Sequence, residues 1–111
     1  MRVILLLSMF ALLIGCSSLI KNGAIVEAQN ALNQREFEEA LENIDIAESF
    51  GELSVANTAK LHYLRGQSLE GLGQKDEAAH SYRYVVENHA KSAYAGPSQQ
   101  RLDAIKKSAV D

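Results

Sequence analysis

Apolar and small residues recur at helical spacing along most of this chain. Ile25, Ala28, Gln29 and Leu32 share one face, and Phe37, Ala40, Leu41, Ile44 and Ala47 share the next. Leu61, Leu64, Ser68 and Leu69 form a third stripe, and Ala78, Ala79, Tyr82, Val85 and Val86 a fourth. A last segment carries Leu102, Ala104 and Ile105. Pro97 near its start is tolerated at a first helical position, and Lys106 and Lys107 near its end suit a helix C-terminus. No stretch shows a strand pattern. The predicted class is all-α.

The pattern repeats itself. Shifted by 38 residues, Ile25 meets Tyr63, Ala28 meets Gly66, Ala31 meets Leu69, Ala40 meets Ala78, Ile44 meets Tyr82 and Ala47 meets Val85. Glu39 and Glu77 coincide too, each directly before its Ala. Two antiparallel hairpins follow, with turns at Asn33 to Glu36 and at Gly71 to Gln74.

Gly66, Leu69, Ala78, Tyr82 and Val85, with the turn Gly73-Gln74-Lys75-Asp76-Glu77-Ala78, resemble the tetratricopeptide repeat. That family places a small residue in the first helix and an Ala twelve residues on, so that the second helix packs closely. The likeness covers about residues 22–91 and is better in the second repeat. It departs in several places. Arg65 precedes Gly66 where a Leu is common, Ala90 replaces a terminal Pro, and Ala31 replaces a large residue. The period also exceeds the family's roughly 34 residues, through the segment from Phe50 to Asn57. The resemblance implies two tetratricopeptide-like hairpins and a C-terminal capping helix, an α–α superhelix over residues 23–108. A plain helical bundle is the other reading. The first hairpin has no cap of its own, so its open side is expected to meet a second copy, as a homodimer, or a partner protein.

The chain begins differently. Met1 and Arg2 precede a run from Val3 to Ile14 that is apolar but for Ser8, about the length of a signal-peptide core and short of a bilayer span. Leu13-Ile14-Gly15-Cys16 follows, and it resembles the lipobox of bacterial lipoproteins. The resemblance implies a signal peptide over residues 1–15, a lipid on the sulfur of Cys16, and a tether over residues 16–22. A transmembrane anchor, or a secreted protein with a stray thiol, is the competing reading. Cys16 is the only cysteine, so disulfide pairing does not account for it. Ser17 and Ser18 after it, in place of Asp, imply the outer membrane facing the periplasm. The expected mature chain has a net charge of −4, which argues against nucleic acid as a partner.

Chemistry is sparse. His62, His80 and His89 do not form a metal-ligand spacing, and no phosphate loop or nucleophile motif is present. Neither a cofactor nor a metal is expected, and an enzyme is not expected either. Seven acids from Glu36 to Glu52 include no Lys or Arg between them, which reads as a solvated face or as a site for a basic partner. In tetratricopeptide proteins ligands meet the first helix of each hairpin. By position that implies Asn22, Ile25, Gln29 and Asn33, then Lys60, Tyr63, Gln67 and Glu70. Those amides, the aromatic ring and the opposite charges suit an extended peptide, and an ordinary polar helix face is the alternative. The expected role is therefore a lipid-anchored adaptor for another envelope protein. The competitors are a pilotin-like escort or assembly factor for a secretin, pilus or outer-membrane protein, and a small-molecule binder or enzyme using His62, Tyr63 and Glu70.

Overall fold

The structure is a computed structural model that describes residues 19–110. The expected signal peptide and Cys16 lie outside the described residues. The described chain is all-α. Helix α1 occupies residues 19–33, α2 Phe37–Ser49, α3 Val55–Gly71, α4 Lys75–Asn88 and α5 Ala95–Val110. Consecutive helices pack against one another as sequential hairpins. Residues 19–22, read from the sequence as tether, are already helical. Pro97 falls in the first turn of α5, where a missing N–H leaves no intrahelical bond unmade.

The two turns are built alike. After α1, Arg35 N–H donates to Leu32 O (3.0 Å) and Glu36 N–H to Ala31 O (2.8 Å). After α3, Gly73 N–H donates to Glu70 O (2.9 Å) and Gln74 N–H to Leu69 O (2.9 Å). These crossed bonds satisfy carbonyls that a helix end leaves free, and they need one residue in the left-handed region. That residue is Arg35 (φ 62°) in the first turn and Gly73 (φ 78°) in the second. The following helices also start alike, with Ala40 N–H donating to Glu36 O and Ala78 N–H to Gln74 O, both at 3.0 Å. Every one of these bonds maps onto its counterpart by the 38-residue shift.

Helix α3 begins with a side-chain cap, in which Ser54 Oγ accepts from the Asn57 N–H (3.1 Å). The core has two centres. Ala24, Ile25, Ala28, Ile44, Ala47, Leu61 and Leu64 join α1, α2 and α3. Leu69, Ala78 and Tyr82 form the other, and Leu102 and Ile105 of α5 pack over it. Small residues set how closely the helices approach. A Cβ on Gly66 would lie 2.6 Å from the Tyr82 ring, and one on Gly71 would overlap the ring of Phe37. Arg65, out of place for a tetratricopeptide sequence, reaches from α3 to α2 and pairs with Glu48 (2.9 Å) and Asp45 (3.3 Å).

Candidate functional site

The second turn positions a charged cluster where α3, α4 and α5 meet. Glu70 is in the last turn of α3, and its Oε1 accepts from Tyr82 Oη (2.8 Å) and Arg101 Nε (2.8 Å). Its Oε2 accepts from Arg101 Nη2 (2.6 Å). Two parallel N–H donors from one guanidinium fix both position and angle, so Arg101 pins α5 onto the second hairpin. The bonds from Arg101, with that from Tyr82, outweigh burial and hold the Glu70 carboxyl below its ordinary range. Burial, reinforced by Glu70, pushes the Tyr82 phenol up, and the hydrogen bond to Glu70 raises Arg101. The Tyr82 phenol therefore stays protonated and acts as a donor.

Beside this cluster an open groove of about 440 Å³ runs between the two hairpins. Gln29 and Asn33 of α1 form one bank, Gln67 and Glu70 of α3 the other, with Arg101 and the Tyr82 ring at one side. Gln29 Nε2 donates to Asn33 Oδ1 (3.1 Å), and Gln67 Nε2 donates to Tyr63 Oη (3.2 Å). Each amide thereby keeps donor or acceptor capacity for a ligand, since an amide offers two donors and a carbonyl oxygen.

The eight residues expected to meet a partner divide in two. Gln29, Asn33, Gln67 and Glu70 line the groove together. Tyr63 adjoins it through Gln67, but its ring packs between Tyr82 and Tyr94, with centroids 5.9 and 5.5 Å away. Asn22 and Lys60 lie toward the other ends of α1 and α3 and do not line the groove. Ile25 is 5% exposed and belongs to the first core centre. The two carboxylate oxygens of Glu70 are already engaged within the chain. Sequence reasoning missed Arg101, although a signal for it exists. The step from Ile25 to Tyr63, taken once more, lands on Arg101.

None of the three histidines lines the groove. The His62 ring stacks on Tyr84 (4.0 Å), with His89 on the same tyrosine (5.6 Å). Burial, then the nearby Arg65 and His89 charges, lower His62 despite an opposing contribution from Glu48. His62 and Glu70 are eight residues apart on α3, and Glu70 is committed to Arg101 and Tyr82. His80 is exposed on α4. Among the described residues no three His, Cys, Asp or Glu side chains cluster as metal ligands, and no helix is long and apolar enough to cross a membrane. Compared with family models, curated proteins and solved structures, this chain matches none of them.

Proposed function

We propose that this chain is a lipoprotein, anchored through a lipid on Cys16, whose helical domain is a two-hairpin, tetratricopeptide-like adaptor closed by α5 as a capping helix. It binds an extended segment of another cell-envelope protein along the groove between α1 and α3, on the periplasmic side of the outer membrane. The observation that carries this reading is the groove itself. It is open to solvent, and Gln29, Asn33 and Gln67, each with unpaired amide capacity, line it. Backbone N–H and C=O groups of an extended peptide are the chemistry that such amides satisfy. The turn-for-turn repetition of hydrogen bonds supports the tetratricopeptide-like reading of the hairpins. The escort and assembly-factor versions use the same groove and differ only in whether the partner moves.

The test is photo-crosslinking in intact cells from a reactive residue placed at Gln67, with Glu42 on the outer face of α2 as control. A defined partner band from Gln67, absent from Glu42 and lost when Gln29, Asn33 and Gln67's neighbour Tyr63 are replaced by Ala, is the expected result. Equal crosslinking from both positions, or none from Gln67, would rule the groove out. A Cys16→Ser chain that stays on membranes after a salt wash would rule out the lipid anchor.

A further inference from the structure

The two ends of the helical domain differ in chemistry. One end gathers the start of α1, the α2–α3 connection, the start of α3 and the α4–α5 connection. Lys21 Nζ, which donates to Glu52 O (2.6 Å), ties the first two of these together. A recess of about 670 Å³ joins the others, with Val55 and Ala56 facing Ala90, Ala93 and Tyr94 across it. The other end holds the two tight turns and the end of α5, tied by Lys75 Nζ donating to Ser108 Oγ (3.4 Å).

Four large apolar side chains are exposed at the first end. Leu19 is 74% exposed, Val55 73%, Ile20 45% and Phe50 41%, and all four stand on it. At the far end the exposed side chains include Arg35, Glu36, Glu38, Glu39, Lys75, Asp76, Glu77, Lys106 and Lys107, with Val110 the exposed large apolar residue there. Single apolar residues such as Val26 and Ile46 are ordinary on a protein surface, but four gathered at one end beside an apolar recess mark a contact surface.

The chain itself says what that surface meets. Leu19 follows Cys16 by three residues, a span of about 10 Å at full extension. It also follows the apolar run from Val3 to Ile14. Whichever of the two attaches the protein to a membrane, the apolar end is the part held against it. Charge neither favours nor opposes this strongly, because Lys21 and Lys91 at this end are matched in number by Glu52 and Glu87. The attraction is therefore apolar burial at the headgroup boundary, with the Lys91 stem able to extend its ammonium to the headgroups. The geometry points to a lipid-docking surface formed by Leu19, Ile20, Phe50 and Val55, which stands the helical domain end-on upon the bilayer with its tight turns outermost. This rests on the proposed membrane attachment and goes beyond it, since a tether alone leaves the domain's orientation free. In the end-on arrangement the groove, which lies toward the tight turns, is held away from the lipid.

The sequence contains no Trp, so a single introduced indole reports its own surroundings. Full-length protein purified from membranes is reconstituted into phosphatidylcholine vesicles with brominated acyl chains, as Phe50→Trp, Val55→Trp and, at the far end, Val110→Trp. Fluorescence of the first two should fall by roughly half relative to unbrominated vesicles, because their side chains sit at acyl depth, while Val110→Trp stays unchanged. Added phosphatidylglycerol should alter this little. No quenching at either near-end position, or equal quenching at all three, overturns the proposal. A blue-shifted Phe50→Trp emission without quenching overturns it too, since another protein surface, such as a second copy, would then cover this end. Leu19→Trp replaces either variant whose circular dichroism shows it unfolded. Flotation separates the two failures. A chain that floats with the vesicles but is not quenched breaks the docking surface alone, and a chain that does not float breaks the membrane attachment.

Discussion

The two hairpins share a backbone plan and solve its packing in opposite ways. In the first, Ala28 of α1 and Ile44 of α2 are both fully buried in the core. In the second, the equivalent positions hold Gly66 and Tyr82. Removing a methyl from α3 makes room for a ring on α4, and the ring's hydroxyl then reaches Glu70. The larger side chain thus brings a polar handle that the first hairpin lacks. Through Glu70 that handle recruits Arg101 and with it α5. The turns differ in the same direction, with Gly73 relaxed where Arg35 is strained. The second hairpin is the better-built unit, and it is also the covered one. Val26 and Ile46 remain exposed on the first.

Exchanging the paired solutions tests this contrast most severely. Gly66→Ala alone forces the Tyr82 ring to move and should cost about 1–3 kcal/mol, the range for overpacking a tight contact. Adding Tyr82→Ile recreates the Ala and Ile pair of the first hairpin and should recover part of that loss. Urea unfolding of both single variants and the double would show the coupling as non-additivity. Strict additivity would mean that the two residues do not share a contact that matters. Next comes the polar handle. Glu70→Gln weakens the fork to Arg101 and should cost about 1–2 kcal/mol, by the value of hydrogen bonds to charged groups. Hydrogen exchange should speed up through α5 and hardly at all in α1. Uniform acceleration would show that Glu70 supports the whole domain rather than α5.

The turns offer a smaller and mirrored pair. Gly73→Ala puts a Cβ in the left-handed region and should destabilise by about 1 kcal/mol. Arg35→Gly relieves the same strain and should stabilise by about 0.5 kcal/mol, reduced by glycine's extra freedom in the unfolded chain and by loss of the Arg35 contact over the Phe37 ring (5.4 Å). Thermal midpoints moving in the same direction for both would break the equivalence of the two turns.

Much of this architecture was legible in the sequence because it depends on local spacing. Helical periodicity placed all five helices, and the 38-residue shift located both turns to within a residue. Leu102 and Ile105, on the stripe of the last segment, pack on the core centre of the second hairpin. Site residues were harder. Helical position put Ile25 on the same stripe as Gln29 and Asn33, yet one turn decides between core and groove as α3 closes over α1. Glu70, expected to meet a partner, is instead held by Arg101, which is 31 residues away on another helix. The acidic run looked unpaired for the same reason, since Arg65 lies outside it and still reaches Asp45 and Glu48. Charge pairing across helices leaves no periodic trace in a sequence.

The finest probe of the contrast is pH, because only the second hairpin carries a titrating link to α5. The Glu70 carboxyl is held below its ordinary value of 4.5 by Arg101 and Tyr82. A carboxyl depressed in the folded state contributes stability that is fully present above its unfolded value and is lost as the pH falls through its folded one. The thermal midpoint should therefore drop as pH falls below about 4.5, alongside a general loss from other carboxylates. Glu70→Gln should show a shallower decline over that window, and Glu42→Gln, an exposed acid of the first hairpin, should follow the parent chain. Amide exchange at low pH should rise in α5 before it rises in α1 or α2. Should the Glu70→Gln and parent curves run parallel, the carboxylate would act only as a neutral acceptor, and α5 would be held by Leu102 and Ile105 alone.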